Sequence, residues 1–162
     1  MAVLEAIEGQ LEATWKQWRK AITDIPDQHW RHGDVDFLIP ARHALHVINT
    51  VDGYARDSQP ESWNGLAEVQ FGRALDWEGT PADELPGQQE CLAYLEVVRQ
   101  RTRVWLEGLG DEGLLAPQEA FPWTGPNILS RMIYVIRNSQ DHTGQLNAER
   151  RRRNLPRSTW EV

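Results

Sequence analysis

A chain of 162 residues with 40% hydrophobic and 25% charged side chains has the composition of an ordinary globular domain, long enough for one real core. Seventeen basic against 24 acidic residues leave a net charge of −7, which weighs against nucleic acid or an anionic membrane surface as the main partner. The single cysteine, Cys91, forbids an internal disulfide, no apolar run reaches the roughly 18 residues of a spanning helix, and Glu5 and Glu8 stand where a secretory leader would be basic and then apolar, so the expected address is the cytoplasm.

The first predicted element is an amphipathic helix. Leu4, Ile7, Leu11, Trp18, Ile22 and Ile25 recur at steps of three, four or a heptad, and the stripe ends near Pro26. Residues 26–39, with Pro26, Gly33 and three aspartates, read as a connection over the end of a bundle. Pro40 suits the first turn of a second helix running to about Arg56, whose stripe is Ala41, Ala44, Leu45, Ile48, Val51 and Ala55. Residues 58–86 contain Pro60, Pro81 and Pro86 and several glycines, with a short helix expected within residues 65–75.

A third long helix is predicted from about Gly87 to Leu109, with Leu92, Leu95, Val98, Thr102, Trp105 and Leu106 at helical spacing. Gly108 and Gly110 sit where a left-handed cap would stop it. The fourth opens on Thr124, Gly125 and Pro126, a cap residue followed by an early-turn proline. It runs through Ile128, Leu129, Met132, Ile133, Ile136 and Leu146 to about Arg153, and Asn154 and Pro156 end it. No stretch alternates long enough to demand a strand, and there is no internal repeat or low-complexity tract. The eight tryptophans are spread along the chain and read as packing units rather than one binding platform. The expectation is one all-α, four-helix-bundle domain over residues 1–162, with Leu4, Leu11, Trp18, Ile48, Leu95, Trp105, Met132 and Ile136 buried.

The chemistry-bearing residues are few. Of the five histidines, His29 and His32 lie in a connection, where solvation is expected. His43 and His46, three apart on the second helix, fall within about 60° of each other and off its apolar stripe, His43 nearer to it. His46 lies beside Thr50 and Gly53, whose small side chains leave space for a ligand between helices; the plainer alternative is a half-exposed imidazole bonded to a carbonyl or water. On the last helix Asn138, His142 and Gln145 share one flank, within about 60° of one another. A spacing of four is how a helix turns two side chains toward one ion or ligand, but here only one of that pair is an imidazole. Arg150 to Arg153 read as a solvated helix end whose cations complement the dipole, and Cys91 as a small buried apolar residue. No serine sits in a nucleophile elbow, and no glycine loop is built for phosphate.

Three stretches carry a resemblance: Leu38-Ile-Pro-Ala-Arg-His-Ala-Leu-His46 on to Tyr54, the Phe121-Pro-Trp-Thr124 turn, and Asp141-His-Thr-Gly-Gln-Leu-Asn-Ala-Glu149 through Leu155, Pro156 and Trp160. Together they resemble the DinB-like family of small four-helix bundles, over essentially the whole chain. The resemblance implies a divalent metal on three histidines, one from the second helix and two spaced by four on the last, and a homodimer as in relatives. Some members of that family are thiol-dependent transferases or isomerases. On this chain His46 matches the first ligand position and His142 the last, which implies that the nearest nitrogens of their imidazoles come within roughly 3 to 5 Å of each other.

The remaining ligand position falls on Asn138, a departure from the pattern. A neutral amide oxygen is a poor ligand for Zn²⁺ or Ni²⁺ beside an imidazole. Asp141, about 60° further around the helix, or His43 are the side chains that would have to compensate. Two expectations follow. One is a metal-poor bundle binding a small molecule or a partner, with Asn138 and Gln145 in the site. The other is a divalent-metal thiol transferase or isomerase, with His46 and His142 as zinc or nickel ligands.

Overall fold

The computed structural model describes residues 2–157. Its long helices are α1 (Val3–Thr23), α3 (Pro40–Tyr54), α5 (Gln88–Leu115) and α6 (Ile128–Arg152), with two four-residue helices, α2 (Asp27–Trp30) and α4 (Glu68–Phe71), in the connections. Helix α1 packs on α5 and α6, and α3 packs on the same two, so the four long helices close around one core. Among the described residues there is no strand, only an isolated bridge between Pro117 and Asn127.

Helix α3 is the central element. Every residue of it except His46 is buried, polar ones included. Enclosed polar side chains must find partners, and Asp52 and Arg42 do. Asp52 accepts from the Tyr94 hydroxyl at 2.7 Å and pairs with Arg56 at 3.0 Å and with Arg101. Arg42 pairs with Asp36 at 3.0 Å and donates to the carbonyls of Trp77 and Thr80, both at 2.8 Å. The helix is therefore fixed in rotation by its polar face as well as by its apolar stripe.

Several boundaries differ from the sequence reading. The third long helix, expected to end about Leu109, breaks at Gly110, one of the two expected cap glycines, whose φ of 61° and ψ of −172° leave the helical region, but it then continues to Leu115. The fourth is capped by Asn127, whose side chain accepts from the Ser130 N–H at 2.9 Å, because residues Pro122–Thr124 form a 3₁₀ turn of their own. The connection after α1 holds α2 and a 3₁₀ turn at Asp36–Leu38, neither of which has a periodic signal. The short helix expected within residues 65–75 is α4, ended by Gly72 at φ 68°.

Of the expected core, Leu11, Trp18, Ile48, Leu95 and Met132 are buried, while Leu4, Trp105 and Ile136 are only partly covered. The arginine run is not uniformly solvated. Arg152 pairs with Glu149 and Asp34, but Arg150 is 1% exposed, and none of its guanidinium nitrogens has a hydrogen-bond partner among the described residues. Trp160 lies outside the described residues.

Candidate functional site

Three imidazoles meet between α3 and α6. The His46 and His142 rings lie 4.4 Å apart between centroids, and His43 and His142 lie 5.2 Å apart. Nδ1 of His43 is 3.0 Å from Nδ1 of His142, so one of the two carries the proton that the other accepts. His43 lies off the apolar stripe of α3, yet it is fully buried. The reason is that α3 is enclosed on all sides, so leaving the stripe does not mean reaching solvent.

Burial makes all three imidazoles poor bases. His43 is lowered to about 4, first by burial and then by His142, against a smaller opposing pull from the Phe37 backbone and Asp141. His46 is lowered to about 3 by burial and then by the neighbouring His142 and His43. His142 is lowered by burial and partly restored by Asp141. At neutral pH the cluster is therefore uncharged, the state in which an imidazole accepts a proton or binds an ion.

His46 also lines a cavity of about 270 Å³. Helix α3 contributes His46, Asn49, Thr50 and Tyr54, and α6 contributes Tyr134 and Asn138. The segment between α3 and α5 closes it with Trp63, Asn64, Asp76 and Trp77. The Trp77 ring lies 4.1 Å from that of His46, and Trp63 lies 5.0 Å from Tyr54. Arg42 holds the Trp77 loop through its two carbonyl bonds. Tyr54 accepts from the Trp123 indole at 3.0 Å, and burial pushes its own hydroxyl up to about 12.

Asn138 is on the cavity wall, and its Oδ1 is buried with no hydrogen-bond partner among the described residues. Gln145 is not on that wall; its amide nitrogen donates to Asp141 at 2.8 Å, and Asp141 is exposed. His46, His142 and Asn138 are thus brought together with His43, and Gln145 stands apart with Asp141. The tyrosines were within reach of sequence reasoning. His46, Thr50 and Tyr54 form one ladder of fours on α3, as Tyr134, Asn138 and His142 do on α6, and each ladder shares a face. Trp63, Asp76 and Trp77 had no such signal, because they come from an irregular segment. Two of the eight tryptophans are therefore cavity walls rather than packing units.

The donor set fits a divalent ion only in part. Two imidazoles oppose one another at Nδ1, but the His46 ring packs against Trp77 at an interplanar tilt of 40°. Among the described residues no group of three or more His, Cys, Asp or Glu side chains is arranged to hold an ion. No helix among them is long and apolar enough to cross a membrane.

Fold and site together define an all-helical protein with a neutral histidine cluster at the wall of an aromatic cavity. The chain belongs to the DinB superfamily, which it matches over residues 10–146, a span containing all three clustered histidines and every cavity residue. No curated protein matches it.

Proposed function

We propose that this DinB-superfamily protein, a four-helix bundle with a degenerate metal-type site, binds a small polar molecule in the cavity between α3 and α6. The observation that carries the reading is Asn138. It stands one turn before His142 on α6 and contributes to the cavity wall, and its Oδ1 is a buried acceptor with no hydrogen-bond partner among the described residues. A buried carbonyl oxygen without a partner costs on the order of 1–3 kcal/mol, which a ligand N–H or O–H would recover. The surrounding polar groups, Asn49, Thr50, Asn64 and the neutral His46, add orientation, while the aromatic walls supply apolar contact. The site binds without dictating a reaction; its chemistry is limited to proton exchange along the opposed Nδ1 atoms of His43 and His142. The test is a fragment screen read at the indole N–H resonances of Trp63 and Trp77. Fragments that shift both, and lose the effect in Asn138→Ala, support the reading; a screen in which neither resonance responds removes it.

A second reading is a divalent-metal thiol transferase or isomerase. It is favoured by the convergence of His43, His46 and His142, with His43 as the third imidazole in place of the residue at 138. A bound ion would there acidify a thiol. Metal analysis of protein purified without chelator or a metal-affinity tag decides between the two: stoichiometric zinc or nickel that is lost in His142→Ala favours this second reading.

A further inference from the structure

The composition of the cavity wall says what class of molecule it suits. Two tryptophans and two tyrosines contribute to the lining, and the Tyr54 ring links Trp63 to Tyr134 at centroid distances of 5.0 and 5.3 Å. Aromatic faces carry negative potential and attract cations. Asp76 is on the same wall, and no lysine or arginine is. Its Oδ1 accepts from the Glu78 N–H at 3.0 Å, while its Oδ2 takes no hydrogen bond from the described residues. Of the arginines near this loop, Arg42 pairs with Asp36 and donates to the Trp77 and Thr80 carbonyls, and Arg73 donates to the Glu84 carbonyl. The wall therefore presents one carboxylate with no lysine or arginine beside it, four large aromatic side chains, and Asn138 with its orphaned acceptor.

We propose that the cavity takes a protonated amine: an ammonium whose charge is balanced by Asp76 and the rings of Trp63, Trp77, Tyr54 and Tyr134, and whose N–H is accepted by Asn138 Oδ1. The inference rests on the reading of this cavity as the ligand site. The volume sets the size. A cavity of about 150 Å³ holds a benzene ring, and this one, at about 270 Å³, has room for a ring or branched chain with an aminoalkyl arm. The orphaned acceptor distinguishes among cations, since a quaternary ammonium has no N–H to give it. Asn138 thus has a use that a third histidine would not have: an imidazole at this position would place a competing donor or an ion where the ammonium sits.

The test uses four probes of similar size on the full chain: phenethylammonium, its trimethylated counterpart, 2-phenylethanol and 3-phenylpropionate. Binding is followed by titration of the Trp63 and Trp77 indole resonances at neutral pH. Phenethylammonium is expected to bind at least tenfold more tightly than the alcohol and the trimethylated cation, with the carboxylate weakest. Asp76→Asn keeps an oxygen for the Glu78 N–H, so the loop folds, and it is expected to lower amine affinity at least tenfold while leaving the alcohol unchanged. Equal binding of amine and alcohol, or an amine affinity indifferent to Asp76→Asn, overturns the cation assignment and leaves a ligand cavity of another class. A trimethylated cation that binds as well as the primary amine overturns the assignment of Asn138 as acceptor. If none of the four moves either indole, the cavity is not a ligand site, and the broader reading falls with this one.

Discussion

The indole of Trp63 lies where a side chain of residue 53 would be. A β-carbon built on Gly53 would come within 2.7 Å of Cε3 and Cη2 of Trp63, and nearer still to Cζ3. Glycine in a central helix gives up roughly 1 kcal/mol of helix stability relative to alanine. Here it makes the seat on which one wall of the cavity rests. Gly53→Ala is expected to expel the ring, since Trp63 is already 36% exposed and free to swing outward. The gain in helix propensity then offsets the lost contact, and the melting temperature moves by only a few degrees. Amine affinity falls at least tenfold, and the Trp63 indole resonance moves to a solvent-like position. An unchanged resonance with unchanged affinity would show that the wall does not depend on this glycine.

The histidine cluster makes stability depend on pH in a defined direction. His43 and His46 titrate at about 4 and about 3 in the folded chain, and His142 is also lowered, all chiefly by burial. Below the unfolded value of about 6.5 the unfolded chain binds more protons than the folded one, so stability rises with pH there. The contribution is complete above about pH 7 and is lost as pH falls through 6 toward 4. The slope reaches about 1.4 kcal/mol per pH unit for each histidine. Urea midpoints between about pH 4 and pH 7 should fall less steeply in His43→Phe than in the parent. Parallel profiles for the two proteins would sink the assignment.

Arg150 is 1% exposed with no hydrogen-bond partner among the described residues, and burial lowers its basicity against a weak pull from Asp24. A buried, unpaired guanidinium is destabilising, and a methionine of similar length keeps the apolar stem. Arg150→Met is therefore expected to raise stability by roughly 1–3 kcal/mol, seen as a higher denaturation midpoint. A lower midpoint would mean that the guanidinium is anchored after all.

How much of this was legible follows from where each residue sits. The long helices could be read because Leu11, Trp18, Ile48, Leu95 and Met132 repeat at helical spacing and face one core. Their ends were harder. Gly110 leaves the helix and the chain resumes it, which composition does not reveal, and Asn127 was hidden behind a Thr124 that looks like a cap. At the site, His46, Asn138 and His142 lie on regular helices, where angle arithmetic applies. Spacing alone did not choose between His43 and His46, because a stripe defines only one buried side and α3 has no exposed one. Trp63, Trp77 and Asp76 reach the cavity from an irregular segment held by Gly53 and Arg42 across the chain, with Thr80 closing it locally onto the Asp76 N–H.

Residue 138 tests the metal-type ancestry of the site directly. Asn138 stands one turn before His142 on α6 and lines the cavity, and its Oδ1 is buried without a hydrogen-bond partner among the described residues. Asn138→His would put an imidazole there, beside the His43, His46 and His142 cluster, and replace a poor oxygen donor with a nitrogen suited to Zn²⁺ and Ni²⁺. The expected gain in affinity for either ion is at least tenfold, on the order of 1.4 kcal/mol. His142→Ala in the same background should abolish it, because the two side chains act on one ion. The same Asn138→His change should weaken phenethylammonium, since the acceptor oxygen is gone. Calorimetric titration of the parent and both variants with zinc, and of the parent and Asn138→His with the amine, reads all of this. Equal zinc affinity in parent and Asn138→His would mean that position 138 does not aim at the cluster, whereas a gain that survives His142→Ala would place the ion elsewhere.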